Sequence, residues 1–301
     1  MNIYECVPNL SEGRSGRRIE RLAAAAVAGG ASLLHRTSDA DHHRSVLTLA
    51  GTLPALESSL EDLYAEALIS IDLRSHAGVH PRIGALDVAP IVPLGGAPEA
   101  PAQALVRRLG ARLASRHGLP VLLYERSASG PERSDLARHR RGGLAALAGR
   151  LSGDWPPDFG PARPHPTGGA TVLGVRGLLI AFNVVLEGGG VRVARRIARR
   201  IRTRDGGLPA LKALGLELSD GRAQVSMNLT DFAVTGLYTA FEAVCRQAEA
   251  HGCGVRESEL IGLAPRAALA AGDPERLRLA GGFSADLVLE NRLESALGVR
   301  L

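Results

Sequence analysis

Residues 151–171, LSGDWPPDFGPARPHPTGGAT, concentrate proline and glycine so heavily that neither a helix nor a central strand can pass through them. By composition this is the best junction the chain offers between two folding units. A 301-residue chain that is 45% hydrophobic can bury two cores, and its length fits two domains better than one.

Helices and strands alternate before the break. Strand-type runs at 2–7 and 31–37 flank a helical stretch from Ser15 to about Ala28 that stops at Gly29 and Gly30. RSVLTLAG (44–51) reads as a third strand. Thr52 and Pro54 then open a helix through about Ser70, with Leu56, Leu60, Leu63 and Ala67 on one face. ALDVAPIVPL (85–94) is a strand, followed by a helix near 98–117 and the apolar strand LPVLLYE (119–125). Beyond the break, GLLIAFNVVL (177–186) is a buried strand and VRVARRIARRIR (191–202) an amphipathic helix. AQVSMNL (223–229) is another strand, and a helix covers roughly 235–250. The pattern predicts an α/β protein in both halves, without a sequence repeat or a low-complexity tail.

No apolar run approaches the roughly 20 residues of a membrane-spanning helix, and MNIYECVPN lacks the layout of a secretory signal. The expected location is the cytoplasm. Three cysteines at Cys6, Cys245 and Cys253 fit no metal spacing and are expected as free thiols. Cys6 has no evident base beside it and reads as core. The net charge of +5 comes with only 3% aromatic residues. The basic face of Arg192, Arg195, Arg196, Arg199 and Arg200 is therefore expected to be solvated rather than bound to nucleic acid. Lys212 is the only lysine among 36 basic residues, so a point-charge ammonium was kept where arginine serves elsewhere; chance survival is the competing reading.

Reactive side chains are densest in SDADHHRS (38–45) and RSHAGVHPRIGALD (74–87), both bordering predicted strands. His76 and His80 beside Asp39, Asp41, His42 and His43 evoke a divalent-metal hydrolase. Gly78 and Pro81, however, push His80 toward an extended backbone, so the two histidines do not share a helix face. A histidine so fixed, with an ordinary pKa near 6.5, suits general acid/base work. Arg44 and Arg82 are placed either to hold a carboxylate or to pair structurally with Asp87 and Asp39.

ECVPNLSEGR (5–14), DHHRSVLTLAG (41–51), HAGVHPRIGALDVAPIVPL (76–94), DFGP (158–161), LIAFNVVL (179–186) and AQVSMNLTDF (223–232) together resemble the glutamate formimidoyltransferase family. The similarity runs over essentially the whole chain. It implies two subdomains, 1–177 and 178–301, each a mixed sheet covered by helices, with folate between them. It also implies transfer of a formimidoyl group from N-formimidoyl-L-glutamate to nitrogen 5 of tetrahydrofolate, with His80 as the acid/base residue and no metal. Arg44, Arg82 and Asp39 are the expected donor-binding residues. Gly160, Pro161, His165, Pro166, Gly169 and Lys212 fall in the family's folate-contacting segments. A homodimer is expected, with a cyclodeaminase only as a separate partner. Two departures bear on the donor: relatives usually carry Asn at the position of His43, and often Asp at that of His35. Formyl transfer between 5-formyltetrahydrofolate and glutamate, a metal-dependent amidohydrolase and a non-catalytic folate-binding protein are the alternatives.

Overall fold

Pro8 breaks what would be a single first strand into β1 (Tyr4–Cys6) and β2 (Asn9–Leu10), because proline brings no N–H to a ladder. The first half continues with α1 (Gly16–Ala28), β3 (Ser32–Asp39), β4 (Arg44–Gly51), α2 (Leu53–Ser70), β5 (Leu86–Pro93), α3 (Glu99–His117) and β6 (Val121–Glu125). Then come α4 (Leu136–His139), α5 (Gly143–Ser152) and β7 (Thr171–Val175). In the second half β8 (Ile180–Glu187), α6 (Gly190–Ile201), β9 (Leu211–Glu217), β10 (Ala223–Leu229), α7 (Leu237–Ala250) and β11 (Gly254–Ile261) precede α8 (Arg266–Leu269) and α9 (Leu289–Leu297). This computed structural model describes residues 2–300, in two units that divide between Arg176 and Gly177. Among the described residues no helix is long and apolar enough to cross a membrane.

In the first unit β1 and β2 lie between β4 and β5, antiparallel to both, and β3 pairs antiparallel with β4 on the outside. Beyond β5 the sheet continues in parallel through β7 and then β6. The second unit is a four-stranded sheet in the order β11-β8-β10-β9. All its pairings are antiparallel, so the expectation of a mixed sheet in each subdomain holds for the first only. The reason is connectivity: α6 joins β8 to β9 and α7 joins β10 to β11, and neither pair is adjacent, so no parallel crossover links neighbours.

Both units nonetheless contain one βαββαβ plan, a ferredoxin-like arrangement that β6 and β7 extend in the first. Each sheet has helices on a buried face. Leu56, Leu60, Leu63 and Ala67 of α2 enter the first core, with about 1.5–3 kcal/mol expected from each fully buried leucine. Ile197 and Ile201 of α6 enter the second with Leu237, Phe241 and Val244 of α7.

The 151–171 stretch is not the junction. It lies inside the first unit, because its backbone is hydrogen-bonded to neighbouring strands instead of hanging free. Val121 N–H donates to Phe159 O at 2.9 Å, and Asp158 Oδ2 accepts from Leu123 N–H at 2.7 Å. Gly110 lets the Phe159 ring approach α3, where a Cβ would stand 2.9 Å from it.

Trp155, in this strap, donates its indole N–H to His139 Nδ1 at 3.0 Å, while His139 Nε2–H donates to Arg133 O at 2.6 Å. These bonds fix a neutral tautomer of a histidine with no exposed surface. Burial holds its pKa down to about 4. The unfolded chain binds that proton near pH 6.5, so stability is full above pH 6.5 and falls as the pH drops toward 4. The loss expected from this group is about 3 kcal/mol. Trp155 is the only tryptophan, so its fluorescence during denaturation reports the transition. His139→Gln should flatten the dependence on pH; an unchanged slope would exclude His139 as its source.

Candidate active site

Arg44 is the first residue of β4 and Asp87 the second of β5, and both strands run antiparallel to β2, so the two residues meet at one end of the sheet. Leu10 of β2 pairs with Ser45 on one side and Leu86 on the other, each the chain neighbour of one charged residue. Asp87 is fully buried. Its Oδ2 accepts from Arg44 Nη2 at 3.0 Å and from Arg140, at the end of α4, at 2.6 Å. Its Oδ1 accepts from Ile83 N–H at 2.8 Å. Burial alone would raise the Asp87 carboxyl, but Arg140 and Arg44 outweigh it and hold the group below the usual carboxylate range. Arg44 also donates Nε–H and an Nη2–H to Asn9 Oδ1, at 3.0 and 2.9 Å.

His80 stands against this network, half-buried. Its Nδ1 lies 2.9 Å from Pro81 O and 3.2 Å from Arg44 Nη1. A neutral ring satisfies one of these at a time. With the proton on Nδ1 it donates to Pro81 O and leaves a lone pair on Nε2; with the proton on Nε2 it accepts from Arg44. Burial, then the charges of Arg44, Arg140 and His42, push its pKa well below the ordinary value, so the ring is neutral at pH 7.

Arg82 does something different from what its position in the sequence implies. Its Nε–H and one Nη2–H go to His80 O, and the second Nη2–H to His42 O. The two Nη1 hydrogens go to His43 O at 2.7 Å and His76 Nε2 at 3.0 Å. All five hydrogens are spent on tying the 42–44 turn to the 76–82 loop, and the Arg82–Asp39 ion pair considered above is not formed. Gly78 allows the closure, since a Cβ there would stand 2.6 Å from His42 O and 2.7 Å from Arg82 Nη2. Asp39 turns onto the same turn, accepting from His42 N–H at 2.7 Å.

His43 has φ +46°, the left-handed region that histidine and asparagine tolerate better than most side chains. Its ring stacks on His76 at 4.0 Å, and its Nε2 lies 3.2 Å from Glu12 Oε1. Burial would raise Glu12, yet the amides of Ser15 and Arg14 and the Arg18 guanidinium hold it at about 2. The histidines thus point to separate partners. Among the described residues no group of three His, Cys, Asp or Glu side chains is arranged around one metal position.

Residues 3–176 match the family model described as formiminotransferase domain, N-terminal subdomain, and residues 181–274 match the formiminotransferase domain. The chain belongs to the formiminotransferase family. It is 41% identical over 270 residues to a Streptococcus pyogenes protein named glutamate formimidoyltransferase, covering 89% of this chain and 90% of that one. It is 38% identical over 302 residues to the protein of that name from Thermoplasma acidophilum, covering 98% and 99%. Against the Sus scrofa formimidoyltransferase-cyclodeaminase the identity is 38% over 275 residues, covering 89% of this chain and 51% of that protein.

Of the residues expected to act in a formiminotransferase, the fold brings His80, Arg44 and Arg82 together, with Asp39 joined to them through His42. His165, Pro166 and Gly169 belong to a short turn closed by His165–Gly169 hydrogen bonds of 2.8 and 3.0 Å. That turn bonds to Ile83 and Ala85, just past Arg82, through Ala170 N–H and Gly168 O. Gly160 and Pro161 lie elsewhere in the unit, with Gly160 (φ +90°) close against Leu119 O. Lys212 is in the second unit, on β9 opposite Asn228. His35 sits in β3 opposite Thr48. Arg140 escaped sequence reading, since nothing in SDLARHRRGG marks one arginine among several. Asn9 and Glu12 lie in the ECVPNLSEGR motif, which carried the signal for them.

Proposed function

We propose that the chain transfers the formimidoyl group of N-formimidoyl-L-glutamate to nitrogen 5 of tetrahydrofolate, with His80 moving the proton. The observation that carries this reading is the neutral His80 ring beside Arg44, in a chain whose relatives of matching length are named glutamate formimidoyltransferase. Nitrogen 5 attacks the amidine carbon, and its proton passes to the Nε2 lone pair of His80. The tetrahedral intermediate collapses as the same proton goes to the glutamate nitrogen, and the carbon–nitrogen bond to glutamate breaks. Base and acid are needed in turn, and one imidazole can serve as both.

With the His80 proton on Nδ1, Arg44 keeps both Nη1 hydrogens beyond its bonds to Asn9 and Asp87, so it is the better of the two arginines for a donor carboxylate. Arg82 is assigned to the loop. Within the first unit folate is assigned to Gly160, Pro161, His165, Pro166 and Gly169; the bonds of the 165–170 turn to Ile83 and Ala85 support the last three. The same reading takes the chain as a cytoplasmic homodimer; the double name of the Sus scrofa relative supports a link to a cyclodeaminase activity.

The test is turnover of both substrates by purified protein without added metal, read as the absorbance of the methenyl product after acid. Product formed in step with released glutamate is expected. Saturable folate binding without product would overturn the reading.

A further inference from the structure

The ring just before Arg44 in the chain meets two acceptors. His43 Nδ1 lies 3.0 Å from Ala77 O, and its Nε2 lies 3.2 Å from Glu12 Oε1. Neither partner can donate: one is a peptide carbonyl, and the other belongs to a carboxyl held at about 2 and so ionised. A neutral imidazole has one N–H and must turn a lone pair toward one of them, whereas the doubly protonated ring donates to both. The geometry is that of an imidazolium.

The surroundings fit one charge at this point. His76 lies flat against the ring, with centroids 4.0 Å apart and planes 16° apart. Two stacked cations would repel. His76 avoids this by accepting from Arg82 Nη1 at 3.0 Å, and burial first, then Arg82 and His43, hold its pKa down to about 4. Arg82 faces His43 from the 76–82 loop, but its hydrogens go to carbonyls and to His76. From the start of α1, Arg18 donates to Glu12 Oε2 and Arg14 to Ala40 O. Asp39, Asp41, His42 and Arg44 share the turn of His43, with Asp39 bonded to His42 N–H and Arg44 to Asn9 and Asp87. Among the described residues Glu12 is thus the one ion bonded to the His43 ring.

The two bonds join three segments: Glu12 leads into α1, His43 precedes Arg44, and Ala77 is in the loop that carries His80. We infer that His43 is a positioning residue which, doubly protonated, clips the His80 loop to Glu12, and that its deprotonation opens one of the two bonds. This role rests on the reaction proposed above. With the clip open, the loop holds the His80 ring less closely beside Arg44, and misplacement of a reacting group lowers the rate. The consequence is an alkaline limb in the pH profile that belongs to His43, since His80 is already neutral there.

The experiment follows the histidine rings by nitrogen-15 NMR against pH, with His43 assigned from the signal lost in His43→Asn, and measures kcat/KM over the same range. On the acid side of the His43 titration both its nitrogens should show the shifts of protonated nitrogens. Across its midpoint kcat/KM should fall by about 3- to 10-fold, up to the worth of one hydrogen bond to a charged group. Asparagine tolerates the left-handed backbone and carries no titrating proton, so in His43→Asn this limb should vanish. Glu12→Gln removes the counter-charge, and both the His43 titration and the limb should move down by at least half a pH unit. A packing role would lower the rate alike at every pH. A His43 ring that keeps a lone pair on one nitrogen across the whole range, or a limb that persists in His43→Asn, overturns the clip. Wild type that makes no product overturns the transferase reading instead, and the NMR titration with its response to Glu12→Gln still decides the clip. If Glu12→Gln does not fold, the wild-type ring shifts and the His43→Asn profile decide it.

Discussion

His80→Ala should lower kcat by about 100- to 10,000-fold, the usual range for removing a general acid/base, while KM for tetrahydrofolate stays close to wild type. The expectation follows from how little else the ring does. It is half-buried and lies outside both cores, and among the described residues it bonds only to the carbonyl of its own neighbour and to Arg44. Arg44 keeps Asn9 and Asp87 after the truncation. The melting temperature should therefore stay near wild type, with a cost of about 1 kcal/mol or less, as for a site without core packing. His80→Gln retains a hydrogen-bonding side chain that cannot carry a proton at neutral pH, and it should be as inactive as alanine. If glutamine restored most of the rate, His80 would be orienting a substrate and not exchanging a proton.

Asp87→Asn is the largest stability loss the site offers. The carboxylate has no exposed surface and answers two guanidiniums, so the amide leaves Arg44 and Arg140 without a buried counter-charge. Removing one partner of a buried pair costs about 3–5 kcal/mol. For a folding unit of this size that corresponds to a fall in melting temperature on the order of 10 °C. Glu61→Gln is the control. Glu61 bridges Arg112 and Arg116 of α3 at the surface, where exposed pairs contribute about 1 kcal/mol or less. Urea denaturation of the two variants separates the cases, and equal losses would mean that the Asp87 network is not desolvated as the structure has it.

The strongly periodic elements were legible in the sequence. The helices 15–28, 52–70 and 98–117, and the strands 44–51, 85–94 and 223–229, appear within a few residues of their expected bounds. β7 was hidden because TVLGV is short and follows directly on a proline-glycine strap. β11 was hidden because a bulge between Val255 and Glu257 spoils its alternation. The repeated βαββαβ plan left no repeat in the sequence, because topology depends on which strands pair and not on which residues recur. At the site, His80 and Arg44 were readable as motif residues, whereas Arg140 reaches Asp87 from 53 positions away by a tertiary contact alone. The misplaced junction has a similar cause: proline and glycine show that a segment is irregular, not that it is loose.

The five spent hydrogens of Arg82 bear on how enzymes of this plan diversify. A guanidinium that holds carbonyls from two loops at once cannot be traded for lysine, whose three donors lack the planar fork, without unpicking both. New donor preferences therefore have little room to arise at that position. On the function proposed above they would be written at the free Nη1 edge of Arg44 or around Arg140, which makes Arg82 a fixed point about which substrate choice can drift.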